Sequence, residues 1–217
     1  MDKKKLEQQS QHWEKNFSNK PEMFGLKPSH SAQKALEIFK KNNINYIVEL
    51  GAGLGRDTIF FAKNALKVHA LDYSLSAIKI IKEKAKKNNL EDLITTEILD
   101  IRKKFPFDDQ KFQGCYSHML YCMALTNLDL KKLNDEVYRV LKNKGINIYT
   151  VRNTTDADYK KGNHKGEDIY EIDGFIIHFF SNEKIKSLLN GFLNLSIENF
   201  DEGSFPRKLS IAINQKK

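Results

Sequence analysis

Residues 47–57 read Ile-Val-Glu-Leu-Gly-Ala-Gly-Leu-Gly-Arg-Asp: an apolar run, three glycines on alternate positions, then a helical pattern. A strand that turns at once into a helix belongs to α/β folds, where the chain passes from a sheet to an outer layer and back. Glycine at such a turn takes backbone angles closed to other residues and lets a ligand approach the main chain. The spacing also discriminates between ligands. Dinucleotide sites use G-x-G-x-x-G. Gly51, Gly53 and Gly55 give G-x-G-x-G, and Arg56 stands where that pattern needs its last glycine.

The rest of the chain continues the alternation. Helices are predicted over about 3–18 and 30–42, the second capped by Ser29 or Ser31. Strands follow at about 46–50, 67–71, 94–99, 112–118 and 146–151, with helices over about 55–64, 75–88 and 127–141. Repeated β–α alternation predicts a parallel sheet covered on both faces. The end differs. Leu193–Phe200 and Leu209–Asn214 alternate as strands, joined by Asp201-Glu202-Gly203-Ser204-Phe205-Pro206 with no helix between, so they are expected to pair antiparallel. The predicted fold is an α/β three-layer sandwich with a seven-stranded, mostly parallel sheet and an antiparallel C-terminal hairpin. Residues 1–217 are expected to form one domain, with 1–28 as a cap, including a loop through Pro21, Gly25 and Pro28, and 152–180 as an insertion or lid.

Composition removes several function classes. No apolar run of about 18 residues exists, so no membrane span is expected. The charged start lacks the apolar core of a secretory signal, and the two cysteines, Cys115 and Cys122, lie in apolar sequence. A reducing cytoplasm is the expected location. The net charge of +8 raises an RNA partner. The lysines, however, are mostly interleaved with acids along helices, as at Lys79, Lys82, Glu83, Lys84 and Lys86, which reads as a solvated surface.

Open α/β sheets bind ligands beyond the carboxyl ends of their strands. Acids occupy three successive ends here. Glu49 precedes the first glycine; it would repel phosphate and suits a cation or an amino group. Asp72 ends the second strand 21 residues after Gly51, where an acid can accept both hydroxyls of a ribose; NAD sites share that spacing. Asp100 ends the third.

The set Glu49-x-Gly51-x-Gly53-x-Gly55, Asp72, Asp100 and the late hairpin resembles the class I S-adenosylmethionine (SAM)-dependent methyltransferases. The resemblance implies SAM as cofactor, held at the turn by Glu49, Gly51, Ala52, Gly53, Gly55 and Arg56. It places Asp72, Tyr73 and Ser74 at the ribose, Asp100 and Ile101 at the adenine, and Ser117 and His118 beside the methionine half. Gly55-Arg56-Asp57-Thr58 and the upstream Pro28-Ser29 are similar to the tellurite-resistance and thiopurine methyltransferase-like branch. In that branch N-terminal aromatics cover the cofactor, which gives Trp13 and Phe24 a role near the substrate.

The segment Cys115–Met123 faces the acceptor in this family. It shows neither the N/D-P-P-F/Y of enzymes that methylate base amines nor a cysteine after proline. A small-molecule acceptor with an O, N, S or other soft nucleophile is therefore expected, with RNA or protein as the alternative. If the acceptor must lose a proton, His118 is the first candidate to take it and Tyr121 the second. Cys115, His118 and Cys122 are too few for a zinc site, and no metal is predicted. In the insertion, Asp173-Gly174 between two apolar runs signals a hairpin. Arg152, His164 and His178 are its candidates for binding an anionic or polarisable acceptor. The oligomeric state is left open.

Overall fold

The computed structural model describes residues 3–20, 22–203 and 207–217; Pro21 of the expected first loop and Ser204, Phe205 and Pro206 of the last connection lie outside them. The chain runs α1 (Lys3–Asn19), α2 (His30–Lys41), β1 (Tyr46–Leu50), α3 (Arg56–Lys63), β2 (Lys67–Asp72), α4 (Leu75–Lys87), β3 (Ile94–Ile98), β4 (Phe112–Ser117), α5 (Asn127–Val140) and β5 (Leu141–Arg152). The insertion adds β6 (Asn163–His164), β7 (Ile169–Ile172) and β8 (Phe175–His178). Then come α6 (Asn182–Ser187), β9 (Phe192–Glu202) and β10 (Arg207–Lys216).

The main sheet has seven strands in the order β3-β2-β1-β4-β5-β10-β9. The first five are parallel, and β10 pairs antiparallel with both β5 and β9. The order reverses at β1, between β2 and β4, which opens the crevice beyond the glycine turn. Because strand side chains alternate, each face builds its own core. Ile47, Tyr116, Ile146 and Ile148 pack with Ala35, Phe39, Phe61 and Ile81 of α2, α3 and α4. Val48, Leu50, Cys115, Tyr149 and Val151 pack with Leu130, Leu133 and Val137 of α5 and Ile185 of α6. These are the three expected layers. Between β3 and β4 no helix forms; Phe105 and Phe107 fill the space against Phe112 instead.

The start of β5 differs from expectation: it lies at Leu141, directly after α5. Against the expected start at about 146, β5 thus gains residues 141–145, which the chain absorbs with a register shift against β4 and a left-handed Lys144 at φ 63°. The Asp173-Gly174 hairpin forms as expected, with φ of 49° and 81° at its two turn residues.

Candidate active site

The site grows from the turn after β1. Gly53 holds φ 53°, and its N–H donates to Asp72 Oδ2 at 2.8 Å. The Ser74 N–H donates to Asp72 Oδ1 at 2.9 Å, so one buried carboxylate ties the glycine turn to the cap of α4. Burial pushes Asp72 up to about 6 despite those two donors. Gly55, at φ 75°, serves packing: a Cβ there would come within 2.7 Å of Ile81. Glu49 is buried and accepts the Thr58 hydroxyl at 2.6 Å. Burial, with Asp57 nearby, pushes it up to about 8, so near neutral pH it is a protonated acid awaiting a cation.

Asp100 takes Arg102 in a fork: Nε at 2.9 Å from Oδ1 and Nη2 at 2.6 Å from Oδ2. Burial opposes its charge, but those bonds outweigh burial and hold Asp100 below the usual carboxylate range. Asp100, Ile101, Arg102 and Tyr73 line a cavity of about 40 Å³ together with Gln9, Ser10 and Trp13 of α1 and Leu120–Leu125 except Tyr121 and Cys122. A larger hollow, about 480 Å³, lies between α5 and α6 and includes no residue of the glycine turn.

The cap is built by α1. Trp13 stacks obliquely on Phe17 and Phe175, and Phe17 and Phe24 stand 3.8 Å from where a Gly53 Cβ would be. Glu14 accepts from the Ser74 and Ser76 hydroxyls and the Ser76 N–H, docking α1 on the start of α4. Gln9 reaches the hairpin turn, donating to Gly174 O at 2.8 Å and accepting from Ile176 N–H at 3.3 Å.

On the α2–α3 face a second polar group gathers. Asp57 accepts from the Ser29 N–H at 2.8 Å, the Ser29 hydroxyl at 2.7 Å and the Tyr116 hydroxyl at 3.1 Å. His118 Nδ1 lies 2.9 Å from Ser31 Oγ and 3.0 Å from Thr150 Oγ1. Arg56 touches Asp57 Oδ1 at 3.2 Å and the Phe24 carbonyl at 3.2 Å. Of these residues Arg56, His118 and Phe24 are site candidates from the sequence, whereas Tyr116 and Thr150 are not. Strand parity held the missing signal: Tyr116 and Thr150 lie on the α2–α3 face of β4 and β5, and the same alternation carries His118 there.

Other expectations are corrected. Tyr121 is fully buried on the opposite face, stacked on Tyr149 with centroids 4.2 Å apart, so it cannot take a proton at the crevice. Ser117 is buried on that face as well. Arg152 is buried and spent within the insertion, bonded to Asp156 and, at 2.7 Å, to Asp158. His178 is buried with Nδ1 on the Leu125 carbonyl at 2.7 Å and Nε2 against Lys184. Burial first, then Lys184, pushes it down to about 4. His164 is exposed on β6 beside Tyr170. Arg152, His164 and His178 do not converge on the crevice.

A methyltransferase domain family matches residues 47–145, the span from β1 to the start of β5. A SAM-dependent methyltransferase of Methanosarcina mazei superposes with a TM-score of 0.68 at 17% identity, over 79% of this chain and 92% of that one. Residues 47–145 thus match a methyltransferase domain, and the chain has the fold of SAM-dependent methyltransferases. A Burkholderia thailandensis 1,6-didemethyltoxoflavin-N1-methyltransferase with bound S-adenosylhomocysteine superposes with a TM-score of 0.68 at 13% identity, over 87% of this chain and 79% of that one. An uncharacterized protein of Methanocaldococcus jannaschii is 32% identical over 149 residues, covering 65% of this chain and 53% of that relative. The chain thus spans about half of that relative's length. Among the described residues no helix is long and apolar enough to cross a membrane.

The residues at the crevice fit SAM chemically. A buried acid sits beside the glycine turn, a second acid and an aromatic wall lie beyond it, and a protonated Glu49 stands ready for a positive charge.

Proposed function

We propose that this protein transfers the methyl group of SAM to a small-molecule acceptor, with 1–217 acting as one catalytic domain, 1–28 as its cap and 152–180 as part of its roof. The supporting observation is the convergence of Asp100, Tyr73 and Ile101 with Trp13 on one cavity beside the Asp72-tied glycine turn. In this reading Asp72 holds the ribose with Ser74 at its flank, Asp100 and Ile101 the adenine, and Gly51, Ala52 and Gly53 the methionine half.

SAM supplies an already activated methyl. The chain's own task is to align the acceptor, exclude water and hold the positive charge; such alignment contributes on the order of 7–11 kcal/mol. Gln9, which lines this cavity, ties α1 to the β7–β8 hairpin, and a roof of that kind favours a small acceptor over RNA or protein. The Burkholderia enzyme, bound to 1,6-didemethyltoxoflavin, is a precedent of that class on this fold. With Tyr121 in the core and both His118 nitrogens engaged, the site suits a nucleophile that attacks without a dedicated base.

Calorimetry with SAM and S-adenosylhomocysteine tests the cofactor site; no binding would overturn the proposal. Methyl-labelled SAM incubated with cell extract tests the acceptor. Label is expected in the small-molecule fraction, and label confined to RNA or protein would replace this reading with its alternative.

A further inference from the structure

The end of β9 carries a carboxylate beside the acceptor wall. Glu202 Oε2 is buried, has no hydrogen-bond partner among the described residues and lies 3.4 Å from His118 Nε2. Its other oxygen faces Arg56 Nη2 at 3.8 Å. Three further elements surround the imidazole: α2 through Ser31, β5 through Thr150, and β4, whose last residue His118 directly follows.

Proton accounting at Nδ1 sets the tautomer. Thr150 Oγ1 accepts the Met119 N–H at 2.9 Å, so its own proton is available to Nδ1. Ser29 and Tyr116 spend their protons on Asp57, and Ser31 Oγ sits 2.8 Å from Tyr116 Oη and 2.9 Å from Nδ1. Nδ1 can thus accept from these hydroxyls, and a neutral imidazole then carries its proton on Nε2. The opposite tautomer would set the Nε2 lone pair against the Glu202 carboxylate, two negative ends face to face. A carboxylate on one ring nitrogen is a common way to fix which nitrogen is protonated.

We infer that Glu202 is a positioning residue that locks His118 as the Nε2–H tautomer, so that neither ring nitrogen is free to act as a base. The inference rests on the reading of the crevice as an acceptor site, but its physical content does not. Charged groups facing the pair are Arg56 and Asp57 on α3 and Glu202 on β9, with Tyr116 on β4 as the remaining titratable neighbour. Glu202 itself feels burial, which raises it, and the His118 and Arg56 contacts, which together hold it below the usual range.

The test is a long-range proton–nitrogen correlation spectrum of the full chain labelled with ¹⁵N-histidine, near neutral pH, with His118 assigned by the His118→Asn variant. The expected result is a single Nε2–H signature in the unsubstituted protein. In Glu202→Gln that signature should give way to a mixture, because an amide can face either tautomer; S-adenosylhomocysteine affinity should stay unchanged. An Nδ1–H signature in the unsubstituted protein overturns the inference whether or not the variant folds. So does a persistent single Nε2–H form in Glu202→Gln. Loss of S-adenosylhomocysteine binding by the unsubstituted protein would count against the proposed function and leave the tautomer result standing.

Discussion

The turn after β1 and the insertion after β5 both present charged side chains near the carboxyl edge of the sheet, yet they use them in opposite ways. At the turn, the Asp72 carboxylate is held by the backbone N–H groups of Gly53 and Ser74, and Asp100 lines a cavity. In the insertion, Arg152 is closed on Asp156 and Asp158, and His178 on Leu125 and Lys184. An acid at the end of a parallel strand is aimed at the crevice by the sheet, and its local partners are the free N–H groups of the next turn. A long insertion can fold back on itself, so its charges find one another first.

Substitutions and titrations can break this contrast. The largest effect is expected for Arg152→Ala, which strands buried Asp156 and should cost about 3–5 kcal/mol in urea unfolding. SAM affinity should survive in the folded fraction; its specific loss would move Arg152 back into the site. Next is the pH dependence of stability from His178. Its folded value, about 4, lies below the unfolded one of about 6.5, so the unfolded chain takes the proton first as pH falls. Stability present above about 6.5 should be lost towards 4, by up to about 3 kcal/mol, in denaturant titrations across that window. A flat profile would show that His178 is not buried neutral.

On the turn side, Asp72→Ala removes the proposed acceptor for two ribose hydroxyls and should weaken SAM binding roughly 100-fold by calorimetry, at about 1.5 kcal/mol for each charged hydrogen bond. Unchanged affinity would refute the ribose assignment. Glu49 sharpens the contrast further. Raised to about 8, it is protonated near neutral pH, and a bound sulfonium or ammonium favours its charged form. SAM binding should release a proton, visible as a buffer-dependent binding enthalpy that Glu49→Gln abolishes. The smallest effect is expected for Tyr121→Phe. Its buried hydroxyl has no hydrogen-bond partner among the described residues, so stability should change by no more than about 1 kcal/mol and SAM affinity not at all.

The pattern of success in reading the chain follows the same division. The β1–α3 turn, the layer order and the C-terminal hairpin were legible because each depends on local periodicity and turn residues. Strand ends therefore placed Asp72 and Asp100 at the crevice edge. Tyr121 was misread because it follows β4 in an irregular stretch, where alternation no longer predicts a face; it crossed to stack on Tyr149. Asp57, Ser29, Tyr116, Thr150 and Glu202 were not recognised as a group because five separate elements contribute them: α3, the cap of α2, β4, β5 and β9.

What the sequence by itself determined is the architecture and its ligand-facing turn: glycines on alternate positions after an apolar strand leave few other folds, and β–α alternation orders the layers. What only the tertiary structure decided is which polar side chains are spent on one another. Hydrogen bonding and ion pairing between residues such as Glu202 and His118, 84 positions apart, depend on ångström-scale approach that no local pattern encodes.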